Sequence, residues 1–120
     1  MSITFYWYPN CGTCRKAKNW LDAHGVSYHA VHIVENPPNC DEIEQLYKKS
    51  GLELKRFFNT SGQKYRELGL KDKINTLEEG ELLDLLASDG MLLKRPIVTN
   101  GEKVTVGFKE EEFEKEWLDK

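Results

Sequence analysis

The chain opens on an apolar run, Ile3-Thr4-Phe5-Tyr6-Trp7-Tyr8, halted by Pro9-Asn10. The run predicts a strand over about Ile3–Trp7. Apolar positions then recur at helical spacing, Ala17, Trp20, Leu21 and His24. They predict a helix over about Gly12–Ala23, with Gly25 as its stop. From Val26 to Val34 the chain alternates, Tyr28, Ala30 and His32 on one side and His29, Val31 and Ile33 on the other. That is the period of a strand, and strand, helix, strand with short links predicts a right-handed βαβ unit with parallel strands.

Pro37-Pro38 breaks the pattern, and Asn39 with Glu42 three residues on reads as a capping box. It opens a helix to about Lys49, with Ile43, Leu46 and Tyr47 on its apolar face and Gly51 as its stop. Leu52 to Leu70 reads as short helices around the polar loop Asn59-Thr60-Ser61-Gly62. Thr76 and Glu79 read as a second capping box, for a helix through Leu82, Leu83, Leu85 and Leu86 that ends near Asp89-Gly90. Arg95-Pro96-Ile97-Val98-Thr99 enters a strand, Asn100-Gly101 is a hairpin turn, and Val104 and Val106 return. Lys109 to Leu118 forms a last helix, with Phe113 and Trp117 on its inner face. With no repeat and no linker, residues 1–120 read as one α/β domain. A parallel unit joined to an antiparallel hairpin is a thioredoxin-like arrangement.

Composition narrows the class. The chain has 120 residues, 39% hydrophobic and 31% charged, which suits one folded domain rather than a disordered segment. A net charge of −3 argues against nonspecific nucleic-acid binding through the whole surface. The start Met1-Ser2-Ile3-Thr4 shows no secretory leader, and no window is apolar enough to span a membrane. Three cysteines in such a chain point to a reducing cytosol, where a CxxC serves catalysis or sensing rather than structure.

The chemistry centres on Cys11-Gly12-Thr13-Cys14, set between the first strand and the first helix. A helix N-terminus carries unpaired N–H groups and about half a positive charge, which favours a thiolate. Cys14 lies one turn on and on the same face, within disulfide reach. One sulfur can attack a target while the other resolves the mixed disulfide. A CxxC is also half a zinc site, but no second pair follows it, and Cys40, His24, His29 and His32 show no ligand spacing. A redox pair without a bound metal is therefore the reading. The N–H groups of Gly12, Thr13 and Cys14 form an anion-binding nest over which an adduct would lie. Arg15 and Lys16 are candidates to stabilise the thiolate, whereas Lys18 reads as solvated. Cys40, at the start of the second helix, could have its pKa lowered there, yet reads as an incidental thiol. The histidines read as packed or solvent-facing, and Trp7, Trp20 and Trp117 as core or its rim. The run Glu110-Glu111-Glu112 complements a helix dipole.

Several stretches together resemble the arsenate reductase (ArsC) family, especially its Spx/MgsR-like branch. They are Tyr8-Pro9-Asn10-Cys11-Gly12-Thr13-Cys14-Arg15-Lys16-Ala17, Glu35-Asn36-Pro37-Pro38, Phe58-Asn59-Thr60-Ser61-Gly62, Tyr65 to Leu70, Leu93-Lys94-Arg95-Pro96-Ile97 and Val106-Gly107-Phe108. The resemblance implies a thioredoxin-like (glutaredoxin-like) fold with a mixed four-stranded sheet and a helical insert. It implies that Cys11 is the nucleophile, that Arg95 binds the substrate oxyanion, and that Pro96 is cis and lies against the active-site cysteine. The reductase pattern has two further oxyanion arginines, which fall near Asn59 and Phe108 and are absent here. A divalent oxyanion is best held by several arginine forks, and each charged hydrogen bond lost costs roughly 1.5–3 kcal/mol. Glutathione-dependent members carry serine at the position of Cys14. The cysteine here implies an internal disulfide, reduced by an external thiol donor of the thioredoxin or glutaredoxin/glutathione type. No nicotinamide or flavin fingerprint is present, so no bound cofactor is expected. The Spx-like branch uses its CxxC as a redox switch and binds RNA polymerase, at the C-terminal domain of the polymerase α-subunit. Val104-Thr105-Val106-Gly107-Phe108 and the acidic helix start look like that branch, while the sequence reaches Lys120 without the extended tail of those regulators. The expectation is a cytoplasmic monomer that acts as a thiol-dependent reductase, with a redox-sensing regulator as the alternative. It would meet a thiol-redox partner protein, and neither nucleic acid nor membrane directly.

Overall fold

A computed structural model describes residues 3–118. Along the chain run β1 (Thr4–Trp7), α1 (Gly12–Ala23), β2 (His29–His32), α2 (Cys40–Ser50), a 3-10 turn (Leu54–Phe57), α3 (Gln63–Glu67), α4 (Leu70–Lys73), α5 (Glu79–Ser88), a second 3-10 turn (Gly90–Leu92), β3 (Ile97–Thr99), β4 (Val104–Val106) and α6 (Glu110–Trp117). The described residues divide into two compact units. The segment up to His32 joins the segment from Arg95 onward, and Ile33–Lys94 forms the other.

The first unit holds the mixed sheet, in the order β2-β1-β3-β4. β1 and β2 are parallel, with Phe5 opposite Ala30. β3 runs antiparallel to both β1 and β4, with Phe5 opposite Val98 and Val98 opposite Thr105. This is the four-stranded sheet of the expected thioredoxin-like fold. Phe5 and Val98 pack with Ala17, Trp20 and Leu21 of α1 and with Phe113 and Trp117 of α6. Trp20 meets Phe113 edge-on at 5.3 Å. Trp117 donates its indole N–H to Thr105 Oγ1 at 3.1 Å, so a buried polar pair joins α6 to β4. Gly25 follows α1 at φ 69°, where a side chain would be strained.

Three expectations change in detail. β2 is shorter than the alternating stretch, and His29 and Ala30 are both exposed. It lies at the sheet edge, so alternation along it does not become burial on one face. The Asn100-Gly101 turn widens to a four-residue connection, in which the Asn100 side-chain oxygen accepts from the N–H groups of Glu102 and Lys103, each at 2.9 Å. The Thr76 hydroxyl donates to Lys73 O at 2.8 Å and closes the end of α4. The cap of α5 therefore moves to Glu78, whose N–H donates to Glu81 Oε1 at 3.3 Å.

The second unit is the helical insert. The Asn39–Glu42 capping box forms, with Glu42 N–H donating to Asn39 Oδ1 at 2.9 Å and Asn39 N–H to Glu42 Oε1 at 3.2 Å. α2 packs on α5, and Ile43, Leu46, Leu82, Leu83 and Leu86 are buried. Gly90 is required by packing, since a Cβ there would lie 2.0 Å from Ile33 O. No helix among the described residues is long and apolar enough to cross a membrane.

Candidate active site

The site is built in the first unit, at the N-terminus of α1. Cys11 is the N-cap residue, in extended conformation at φ −94°, ψ 118°. Its N–H donates to Tyr8 O at 3.0 Å, which closes the Pro9-Asn10 turn. Its sulfur takes the place of the usual cap oxygen and accepts the Cys14 N–H at 3.4 Å. Gly12 and Thr13 occupy the exposed first turn, where N–H groups have no partner within the helix. A Cβ added at Gly12 would meet nothing within 4 Å, so the first turn is uncovered at that position.

The two thiols are driven apart in acidity. Burial, the largest influence on Cys11, pushes its thiol up. Hydrogen bonds from the Cys14 side chain and N–H, then the hydrogen bond and charge of Arg95, outweigh it, and the net shift is downward. Cys14 is fully buried, and its pKa is pushed up to about 12, by burial first and then by its hydrogen bond to Cys11 and the charge there. The Tyr8 backbone and Arg95 pull it the other way. Pairs of groups whose environments separate their pKa values mark sites of acid–base and nucleophilic chemistry. Both cysteines are free thiols here.

The structure thus brings together Cys11, Gly12, Thr13, Cys14 and Arg95. The Arg95–Pro96 peptide is cis. Arg15 does not serve the thiolate, because its guanidinium donates to Pro9 O at 3.0 Å, and Lys16 is exposed. The influences on Cys11 come instead from Cys14 and Arg95. Lys18 pairs with Asp22 at 2.9 Å. Phe108, near the expected third arginine, packs edge-on against Phe113 at 4.8 Å and gives an apolar ring to the core in place of a cation. Asn59 lies in the second unit, where its N–H donates to Leu92 O at 2.8 Å. The Cys40 pKa is raised and not lowered: its thiol donates to Asp84 Oδ1 at 3.2 Å, and that bond, with burial and the charges of Asp84, Asp41 and Glu44, pushes it up. Neighbouring carboxylates thus override the helix N-terminus. His24 stacks on Trp20 at 4.1 Å, and His32 meets Tyr8 edge-on. No group of three or more His, Cys, Asp or Glu among the described residues is placed to hold a metal ion.

Tyr8 is the contributor that periodicity did not reveal. The Arg95 guanidinium lies over its ring, 5.4 Å from the centroid. Only the antiparallel pairing of β1 with β3 brings the two side chains together.

The family model described as the ArsC family matches residues 6–116. The chain is 65% identical over 117 residues to the uncharacterized protein YusI of Bacillus subtilis, covering 98% of this chain and 99% of that protein. It is 31% identical to the regulatory protein MgsR of the same organism, over 88% of this chain and 82% of MgsR. A solved structure described as a possible arsenate reductase of Streptococcus mutans superposes with a TM-score of 0.85 at 50% identity, covering 93% of this chain and 97% of that one.

Proposed function

The chain belongs to the ArsC family, and from that membership we propose that it is a thiol-dependent reductase of the arsenate reductase kind. The carrying observation is the split between two neighbouring thiols, one lowered beside Arg95 and one buried and held protonated. The Cys11 thiolate attacks an electrophilic centre, an oxyanion or a sulfur, and displaces hydroxide or thiolate, which takes a proton from solvent. Arg95 and the first-turn N–H groups of Gly12 and Thr13 hold the negative charge of the adduct.

Bonding Cys11 neutralises its sulfur. This removes two influences that keep Cys14 protonated, the hydrogen bond to Cys11 and its charge. Cys14 then gives up its proton and attacks the Cys11 sulfur. The product leaves with two more electrons, and a Cys11–Cys14 disulfide remains. An external thiol donor, a dithiol of the thioredoxin type or two glutathione thiols with glutaredoxin, returns both electrons. The cycle would run in the reducing cytosol, on a monomer, with a thiol-redox protein as partner.

The test is arsenate turnover by the reduced protein with thioredoxin or with glutaredoxin and glutathione. Cys11→Ser should abolish turnover with either donor, and Cys14→Ser should stall at the adduct when thioredoxin is the donor. No turnover with either donor would sink the arsenate reading. The likeness to MgsR supports a second reading, a redox-sensing regulator that binds RNA polymerase through the C-terminal domain of its α-subunit. It requires affinity for that domain to differ between dithiol and disulfide forms.

A further inference from the structure

We propose that Tyr8 is a positioning residue of this site: its ring holds the Arg95 guanidinium against Cys11. The inference rests on the reading of Cys11 as the nucleophile.

Sheet register is the first ground. β1 pairs antiparallel to β3 with Tyr6 opposite Ile97. The paired ladder ends there, and Tyr8 and Arg95 each lie two residues beyond it, at the end where β1 runs out towards the Cys11 turn and the chain enters β3. The second ground is the contact. The guanidinium lies 5.4 Å from the Tyr8 ring centroid, inside the range of a cation–π interaction. A planar, weakly hydrated guanidinium suits an aromatic face, while a long side chain without such a platform keeps its rotamer freedom. The third ground is that the ring is itself held. His32 meets it edge-on at 5.6 Å, and Asn10 Nδ2 donates to its hydroxyl at 3.5 Å.

The Tyr8 backbone adds a link to each thiol. Its carbonyl accepts the Cys11 N–H at 3.0 Å, and its backbone hydrogen-bonds Cys14. Backbone links survive any substitution at Tyr8, whereas the ring does not, so mutation separates the two contributions. The ring acts through Arg95, whose hydrogen bond and charge favour the Cys11 thiolate.

The test is the pH dependence of iodoacetamide alkylation at Cys11, in reduced protein carrying Cys40→Ser. Tyr8→Leu should move the midpoint up towards the ordinary thiol value of 9.0. It should slow alkylation at neutral pH by about one and a half- to two and a half-fold, the size of an exposed cation–π contact after the more basic thiolate's gain in nucleophilicity. Tyr8→Phe, which keeps the ring, should retain the native midpoint. Arg95→Met should also raise the midpoint, and adding Tyr8→Leu to it should change nothing further. The proposal fails if Tyr8→Leu leaves the midpoint unmoved while Arg95→Met shifts it, or if the two shifts simply add. A native midpoint already at the ordinary thiol value would overturn the nucleophile reading itself, and this inference with it.

Discussion

Burial, more than the neighbouring sulfur, keeps Cys14 from reacting, and Cys11→Ser separates the two causes. In the native reduced protein, iodoacetamide should label Cys11 first, Cys40 more slowly and Cys14 last. Cys14 is fully buried, with its pKa raised from 9.0 to about 12. Three pKa units mean about a thousandfold less thiolate at mildly alkaline pH. A more basic thiolate is a better nucleophile, and a Brønsted slope of about 0.4–0.5 recovers roughly twentyfold. Ionisation alone therefore slows Cys14 by about fiftyfold, before any loss of access is counted. Cys11→Ser removes the hydrogen bond to the Cys11 sulfur and its charge but leaves burial, the first cause. Cys14 in that variant should still label more than about tenfold slower than in the urea-unfolded chain. Timed alkylation, acid quench and peptide mass spectrometry read all three sites at once. Native Cys11→Ser that labels Cys14 at the unfolded-chain rate would refute the assignment to burial.

Two stability predictions follow from the same structure. Gly90→Ala drives a Cβ to 2.0 Å from Ile33 O, so backbone must move, and the loss should be about 1–3 kcal/mol in urea unfolding; an unchanged midpoint would show that the approach is not tight. Cys14 also makes the reduced protein sensitive to alkali. Its folded pKa lies above the unfolded 9.0, so its contribution is whole below pH 9 and is lost as pH climbs towards 12, at about 1.4 kcal/mol per unit. Cys11 is shifted the opposite way, and its contribution is already complete and constant above 9.0. Urea midpoints at several alkaline pH values should fall more steeply for the native chain than for Cys14→Ala, and parallel slopes would contradict the raised Cys14.

Local sequence was enough for most elements. The Gly12–Ala23 helix, the Asn39 capping box, the hairpin with Val104 and Val106, and the Phe113–Trp117 face all stand where residue spacing put them. Caps, turns and periodicity act over a few neighbours, and those neighbours are present in the sequence. The Thr76 cap failed because its hydroxyl had a nearer acceptor, the Lys73 carbonyl at the end of α4. The shortened β2 failed because strand length depends on what lies beside it, and β2 has a paired neighbour on one side only.

By itself the sequence determined the candidate nucleophile, its position at a helix N-terminus, the resolving thiol one turn on, and the family. Tertiary structure decided the acidity of each thiol. Cys11 and Cys14 share a motif and a helix turn, yet one is lowered and the other raised. The difference arises from core packing around Cys14 and from Arg95, more than eighty residues away in the chain and delivered by a neighbouring strand. It likewise decided that Tyr8 carries Arg95, that Phe108 serves the core, and that Cys40 answers to Asp84. Desolvation and charge act through space over a few ångströms, and only a folded chain sets those distances.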